Sequence, residues 1–358
     1  MSHRLVGASL AAALGLLTGL QAGPAAAPPA GTPATGTGCG TGVGRVVLDT
    51  TYNPATGRYE LNDSRRGNHR TYDLAGATGG TGTLVTDDDN DWCDASGRGA
   101  DAVAAHYLHA VTWDYFAEVH GRKGLRGDGR GGCSRVHHGR DHQNVFFADG
   151  CLTYGDRSDW RHPLTRIDIA AHEWAHVVTE ATANLRYSGE SGGLNEATSD
   201  IFAAAVEFRA KNPADPGDYL VDESLSGVDD GVPLRYMDRP SRDGRSKDYW
   251  YPGIGGTDVH YSSGPANHFF YLLSEGSGKK VVNGVTYDSP TYDGKPVTGI
   301  GRSAAERVWY RALTQRMSTN TDYKGARGAT LTAAAELYGQ GSAEHRAVDA
   351  AWAAVNVT

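Results

Sequence analysis

The pentapeptide HEWAH at residues 172–176, followed by NEATSD with Glu196 twenty residues beyond His176, constrains the fold more than any other feature of the chain. On an α-helix, residues four apart share a face, so His172 and His176 point the same way and Glu173 sits about 100° round from His172. Glu196 and Asp200 are also four apart, which places both carboxylates on one face of a second helix. If the two faces meet, His172, His176 and Glu196 form the three-ligand set of a zinc site with an open position. Glu173 is then left free for proton transfer, and Asp200 is placed to accept the ring N–H of a ligand histidine. Alone, H-E-x-x-H is only suggestive, and a third ligand at the right place downstream is the test it has to pass; Glu196 supplies that ligand.

The N-terminus points to export. After Arg4 comes the uncharged run Leu5 to Leu20, then GPAAAPPA, in which Ala25, Ala26 and Ala27 offer a small-residue cleavage site. Residues 1–27 are therefore predicted to be a secretory signal peptide, and residues 28–39 a flexible leader. A membrane anchor is disfavoured because the apolar run falls short of the ~20 residues a span needs. Outside the cell the four cysteines Cys39, Cys93, Cys133 and Cys151 are free to form disulfides, for which three full pairings exist. Cys133 with Cys151 is the preferred pair, since their segments read as neighbouring strands of a hairpin. A net charge of -8 argues against nucleic acid and against an anionic membrane as partners.

The rest of the chain divides in two. From about Arg45 to Asp156, short alternating runs separated by turns predict strands, with NPATG as a hairpin loop. One helix interrupts them, with Val103, Tyr107, Val111, Tyr115 and Val119 at four-residue spacing and Gly121 as its stop. From Ile167 onward helices dominate. Ser303 to Glu306 reads as a capping box, Ser342 as a helix cap, and Pro265 as a first-turn residue. The expected architecture is α+β, with a β-rich domain over 40–165 and a mainly helical domain over 166–358.

HEWAH and NEATSD, together with NVFF (144–147), YGD (154–156), LRYM (234–237), DVHYSSG (258–264) and GIGRSAAERVWYRALT (299–314), resemble the thermolysin family of secreted neutral metallopeptidases. The resemblance runs from about Gly40 to the C-terminus. It implies a β-rich and a helical domain with the HEWAH helix on the floor of the cleft between them. It also implies zinc on His172, His176 and Glu196, Glu173 as general base, and Asp200 behind His172. Tyr187 and His260 match the groups that stabilise the oxyanion, and Asn144 and Arg235 those that grip the substrate backbone. Leu234 and Ile169 match the pocket for the residue after the cut, which favours bulky apolar side chains. Asp168, Glu207 and Asp215 match calcium positions, with Asp87 and Asp89 a further acidic loop. The implied protein is a monomeric, secreted endopeptidase acting on polypeptides.

Two departures from the pattern stand out. Gly255 occupies the place of the family's Asp that orients the oxyanion histidine, leaving Asp258 as the nearest carboxylate. The family is also made with a long prosegment, so a folding helper supplied in trans or from upstream is expected. The alternatives are a catalytically silent peptidase-like binding protein, expected to lack a ligand or base, and an exopeptidase, expected to hold a chain terminus. His106, His109, His137, His138, His142 and His268 have no matching ligand set and are expected to be structural or on the surface.

Overall fold

The computed structural model describes residues 31–94, 97–156, 164–222 and 232–358; the expected signal peptide lies outside them. The N-terminal half contains strands β1 (Thr32–Gly40), β2 (Gly44–Asn53), β3 (Arg58–Glu60), β4 (Asn62–Asp63), β5 (His69–Asp73), β6 (Thr83–Leu84), β7 (Thr86–Asp87) and β8 (Asp91–Trp92). Helix α1 (Arg98–His120) follows, then β9 (Cys133–His138), β10 (Val145–Ala148) and β11 (Cys151–Gly155). One sheet has the order β7-β3-β2-β1-β8; the other runs β10-β11-β9-β5-β4, with β6 paired to β5. Among the described residues β10 is thus an edge strand of the second sheet.

Residues 32–39 correct the expectation of a flexible leader: they form β1, paired over nine positions with β2. Gly36, Gly38 and Gly40 fall on one face at strand period two. A Cβ at Gly38 would stand 2.6 Å from Val103 Cγ1, and one at Gly40 2.9 Å from the Ala104 nitrogen. Gly38 and Gly40 serve close packing of β1 on α1, while Gly36 makes room for Asn90, where a Cβ would stand 2.4 Å from Oδ1, and composition disguises both roles. The NPATG loop joins antiparallel β2 and β3 as expected.

Helix α1 ends at Gly121, whose left-handed backbone (φ 68°) lets its N–H reach the Ala117 carbonyl. Its burial is not the single stripe expected, since Ala102 to His106, Leu108, His109, Thr112, Trp113, Tyr115 and Phe116 are all buried. Strands of both sheets and helices on its far side surround it. Both disulfides form, Cys39–Cys93 and Cys133–Cys151. The second is the preferred pair, but it joins adjacent parallel strands β9 and β11 rather than the arms of a hairpin.

The C-terminal half comprises α2 (Ile167–Glu180), α3 (Gly189–Ala210), β12 (Leu220–Val221), β13 (Arg235–Tyr236), α4 (Val259–Ser262), α5 (Gly264–Glu275), the hairpin β14 (Gly278–Val282) and β15 (Val285–Ser289), α6 (Arg302–Gln315), α7 (Tyr323–Tyr338) and α8 (Ala343–Ala354). Pro265 sits in the first turn of α5, and the Ser342 hydroxyl caps α8 by accepting the His345 N–H. The Ser303 capping box is not formed. α6 starts one residue earlier, at Arg302 behind Gly301, and Glu306 instead accepts the Tyr115 hydroxyl at 3.1 Å. Buried Phe269 stacks on Trp352 at 3.9 Å between centroids beside Trp309, tying α5, α6 and α8 together. Each such ring contributes roughly 1.5–3 kcal/mol through the apolar surface it removes from water.

Every residue of α3 from Ser191 to Glu207 is buried. Gly192 and Gly193 at its start let α4 lie directly against it: a Cβ at Gly192 would meet Val259 Cγ1 at 2.4 Å, and one at Gly193 would meet Ser262 Oγ at 2.7 Å. Two helix-weakening glycines thus bring the α4 segment with His260 beside Glu196.

Candidate metal centre and active-site cleft

Helices α2 and α3 pack so that the predicted faces meet. His172 Nε2 lies 3.1 Å from His176 Nε2 and 3.4 Å from Glu196 Oε2, and His176 Nε2 lies 3.4 Å from Glu196 Oε1. Among the described residues this is the one set of three such side chains whose donor atoms all lie within 4.8 Å of one another. The His172 Nδ1–H donates to Asp200 Oδ1 at 2.8 Å, and the His176 Nδ1–H donates to Asn195 Oδ1 at 2.8 Å. Asn195 is itself fixed, donating to the Leu185 carbonyl at 2.9 Å. With both Nδ1 atoms committed to these acceptors, the two Nε2 atoms are turned towards each other and towards Glu196 across a shared gap. Such a donor set fits a cation: the edges of a tetrahedron with bonds of ~2.0–2.1 Å are about 3.3 Å long.

The electrostatics point the same way. Burial disfavours charge on His172, yet Asp200 and Glu196 outweigh it and push the imidazole up to about 10, so the site calls for positive charge at this point. Burial and the His172 charge bring His176 down to about 4. Burial would raise the Glu196 carboxyl, but the hydrogen bond and charge of His172 hold it at about 2. Burial pushes Glu173 up to about 7, with His172 opposing and Glu196 adding to the rise. A carboxylate at that value gives up and takes up protons near neutral pH.

Asp200 is fully buried and saturated with partners. Arg235 donates to it twice, at 2.8 and 2.7 Å, and Asn267 donates to Oδ2 at 2.7 Å. The charges of Arg235 and His172 overcome the burial that would raise its carboxyl and hold it well below the usual range. Tyr187, half exposed, donates its hydroxyl to Glu196 and lies 3.3 Å from His260 Nε2. The role expected of a carboxylate at the Gly255 position falls to Asp258, which accepts the His260 Nδ1–H at 2.8 Å and the His260 backbone N–H at 3.0 Å. Asn195 and Asn267 carry no signal in the sequence that marks them as site residues, whereas Asp258 is the nearest carboxylate to His260 that the sequence offers.

A recess of about 150 Å³ opens beside Glu173 and His172, walled by Val145, Leu164, Ile169, Val221 and Leu234, with Asn144, Arg235 and His260 also on its lining. Asn144, Arg235, Leu234 and Ile169 are thus brought together as expected. Tyr187, Glu196 and His260 line the adjoining stretch of cleft together with Phe146 and Phe147 of β10.

The acidic residues Asp168, Glu207 and Asp215 are all buried, with Asp218 beside them. Burial and the neighbouring Asp168 raise Asp215 to about 6, and burial with Asp168 and Asp215 raises Asp218 to about 7. Asp215 Oδ2 has no hydrogen-bond partner. Their oxygens do not converge as closely as the histidine set. Asp87 and Asp89 instead accept backbone N–H groups of their own loop.

Residues 35–180 match the family described as thermolysin metallopeptidase, catalytic domain, and residues 183–357 its alpha-helical domain. A transglutaminase-activating metalloprotease of Streptomyces mobaraensis is 59% identical over 320 residues, covering 88% of this chain and 41% of that protein. The thermostable neutral protease of Geobacillus stearothermophilus is 38% identical over 319 residues, covering 87% of this chain and 55% of its own length. The chain therefore spans about half the length of the curated relatives it matches. Among solved structures, the precursor of protealysin from Serratia proteamaculans superposes with a TM-score of 0.63 at 27% identity, covering 81% of this chain and 87% of the other. From its cleft geometry to its sequence relatives, the chain belongs to the thermolysin metallopeptidase family.

Proposed function

We propose that this chain is a secreted zinc endopeptidase that cuts polypeptides on the N-terminal side of bulky apolar residues. The observation that carries the reading is the convergence of His172 Nε2, His176 Nε2 and Glu196 within 4.8 Å, beside Glu173 and a recess whose walls include Val145, Leu164, Ile169, Val221 and Leu234. Zinc held by these three side chains would polarise the scissile carbonyl and make a water acidic enough to attack it. Glu173, which lines the recess beside His172, takes the proton of the attacking water and delivers it to the leaving amine. Tyr187 swings its exposed hydroxyl from Glu196 to the developing oxyanion. His260, held at Nδ1 by Asp258, donates to the same oxygen through Nε2 when its ring carries both protons. No covalent intermediate is required.

Arg235, fixed by Asp200, and Asn144 border the recess, where they can bond the substrate backbone, while Leu234 and Ile169 select the side chain after the cut. The recess should favour Leu, Phe or Ile by roughly 1–3 kcal/mol over smaller residues. Asp168, Glu207 and Asp215 are proposed to hold calcium. Crowded carboxylates of raised pKa with an orphaned oxygen are stabilised by a hard cation. The expected product is a monomer outside the cell; no helix among the described residues is long and apolar enough to cross a membrane.

The deciding experiment compares wild type with Glu173→Gln on unfolded casein and a peptide library. The variant should keep one zinc per chain and lose about 10²–10⁴-fold in kcat. Fragments from wild type should begin with Leu, Phe or Ile. Full activity in a metallated Glu173→Gln protein, or fragments beginning with charged residues, would refute the proposal.

A further inference from the structure

The catalytic cleft continues past the zinc-binding set. Phe147 and Val177 line it beside His176 and Glu180, and the same two side chains form a wall of a second recess of about 200 Å³. That recess has an apolar lining completed by Leu125 and Trp174, both buried. Gly132 and Gly150 place no side chain in it, so it has room for one large side chain. Trp174 is clamped between Phe147 (5.7 Å between centroids) and His109 (5.1 Å), which makes the wall rigid. At the mouth, Arg126 pairs with Glu180 at 2.8 Å, and Arg130, almost fully exposed, stands 4.0 Å from Asp128. The rim is charge-balanced.

Strand β10 links this recess to the scissile position. Among the described residues it is the edge of its sheet, and an edge strand offers backbone N–H and C=O groups to an extended peptide. Val145 lines the recess shared with Leu234, whereas Phe147, two residues along, lines the second recess. At ~3.3 Å per residue, a peptide laid along β10 reaches the second recess a few residues from the cut. This direction rests on the reading above, in which the Leu234 recess holds the residue after the cut; the second recess then lies on the upstream side. We propose that the recess walled by Leu125, Phe147, Trp174 and Val177 is a specificity subsite that takes a large apolar side chain two to four residues before the scissile bond. Its balanced rim makes it select on size and apolarity, not on charge.

The test uses quenched-fluorescence peptides with Leu fixed after the cut and Phe, Leu, Gly, Glu or Lys placed singly at each of the four upstream positions. At one of positions two to four, kcat/KM for Phe or Leu should exceed that for Gly by about 10-fold. In Leu125→Asp this ratio should fall towards one. In Arg130→Glu, a surface change, the Lys-to-Glu ratio at the same position should rise several-fold. If Leu125→Asp does not fold, the wild-type profile and Arg130→Glu decide. A flat profile at positions two to four, or ratios that move in neither variant, overturns the subsite. Cleavage that does not map before the fixed Leu overturns the reading on which it rests, and the subsite with it.

Discussion

Two groups of histidines flank the HEWAH helix, and they are built in opposite ways. On the cleft side, His172 and His176 each donate Nδ1–H to a side-chain oxygen, and their Nε2 atoms converge on a buried carboxylate. On the far side, against Trp174, buried His69 stacks on His109 at 3.6 Å between centroids, with His106 nearby. Among the described residues no carboxylate oxygen converges with these rings as Glu196 does with His172 and His176. His69 donates to the Gly131 carbonyl and accepts from the Ser134 hydroxyl; His106 donates to the Asp49 carbonyl and accepts from the Thr71 hydroxyl. One donor and one acceptor on each of these two rings suits neutral imidazole locked into a core, while His109 is held by stacking and its buried Nε2 has no hydrogen-bond partner. Proximity of histidines therefore does not make a metal site; what does is a shared direction for the free lone pairs and an anionic third partner.

The strongest way to break this comparison is to remove one member of each group. His176→Ala should carry no zinc and show only background hydrolysis. His109→Phe should keep one zinc per chain and remain an active peptidase, since its ring stacks on His69 beside Trp174 and belongs to no part of the His172, His176 and Glu196 set. Metal analysis with steady-state kinetics reads both, and zinc loss in His109→Phe would erase the distinction drawn here.

A smaller effect tests the outer partners. Asn195→Ala leaves all three donors in place but frees the His176 ring, so zinc affinity should drop about 10–100-fold in chelator competition. Asp258→Ala should retain zinc and lower kcat by up to about 10²-fold, with a changed pH profile, because His260 loses the acceptor at Nδ1. An unaltered profile would mean that His260 needs no orientation.

The outer partners also mark where sequence reading stopped. His172, His176, Glu196 and Asp200 were legible because helical periodicity turns a spacing of four into a shared face. Asn195 was not, although it neighbours Glu196: a neutral amide carries no charge signal, and its role depends on how α3 is rotated against α2. Asn267 reaches Asp200 across 67 positions of sequence, so no local pattern connects them. Asp258 was visible as the nearest carboxylate, yet only the turn into α4 decides that its oxygen meets the ring. In the fold, the division into β-rich and helical halves follows from periodicity. β1 reads as a linker because Gly36, Gly38 and Gly40 imitate one until their neighbours are known, Asn90 for Gly36 and α1 for Gly38 and Gly40. The Ser303 box failed because tertiary packing turned Glu306 towards Tyr115.

The smallest and most graded difference concerns acid. Burial lowers the pKa of His69, His106 and His109 in the folded protein, so the unfolded chain binds more protons as pH falls. Their contribution to stability is complete above the ordinary histidine value of about 6.5 and declines below it, by up to roughly 1.4 kcal/mol per pH unit for each ring. The carboxylates Asp215 and Asp218 act with the reverse sign. Their folded values, about 6 and about 7, lie above the ordinary 3.8, so without a cation their contribution is complete below about pH 4 and is lost as pH rises towards 7. A bound calcium ion would cancel that loss, since it replaces protons as the partner of the carboxylates. Calcium chelation with zinc kept saturating should therefore lower the melting temperature by several degrees at pH 7.5 and by much less at pH 5. His109→Phe should flatten the acid limb below pH 6.5 and leave the chelation effect at pH 7.5 unchanged. Equal chelation effects at both pH values would remove the acidic cluster as a calcium site, and an unflattened acid limb would show that the buried histidines do not set the protein's response to acid.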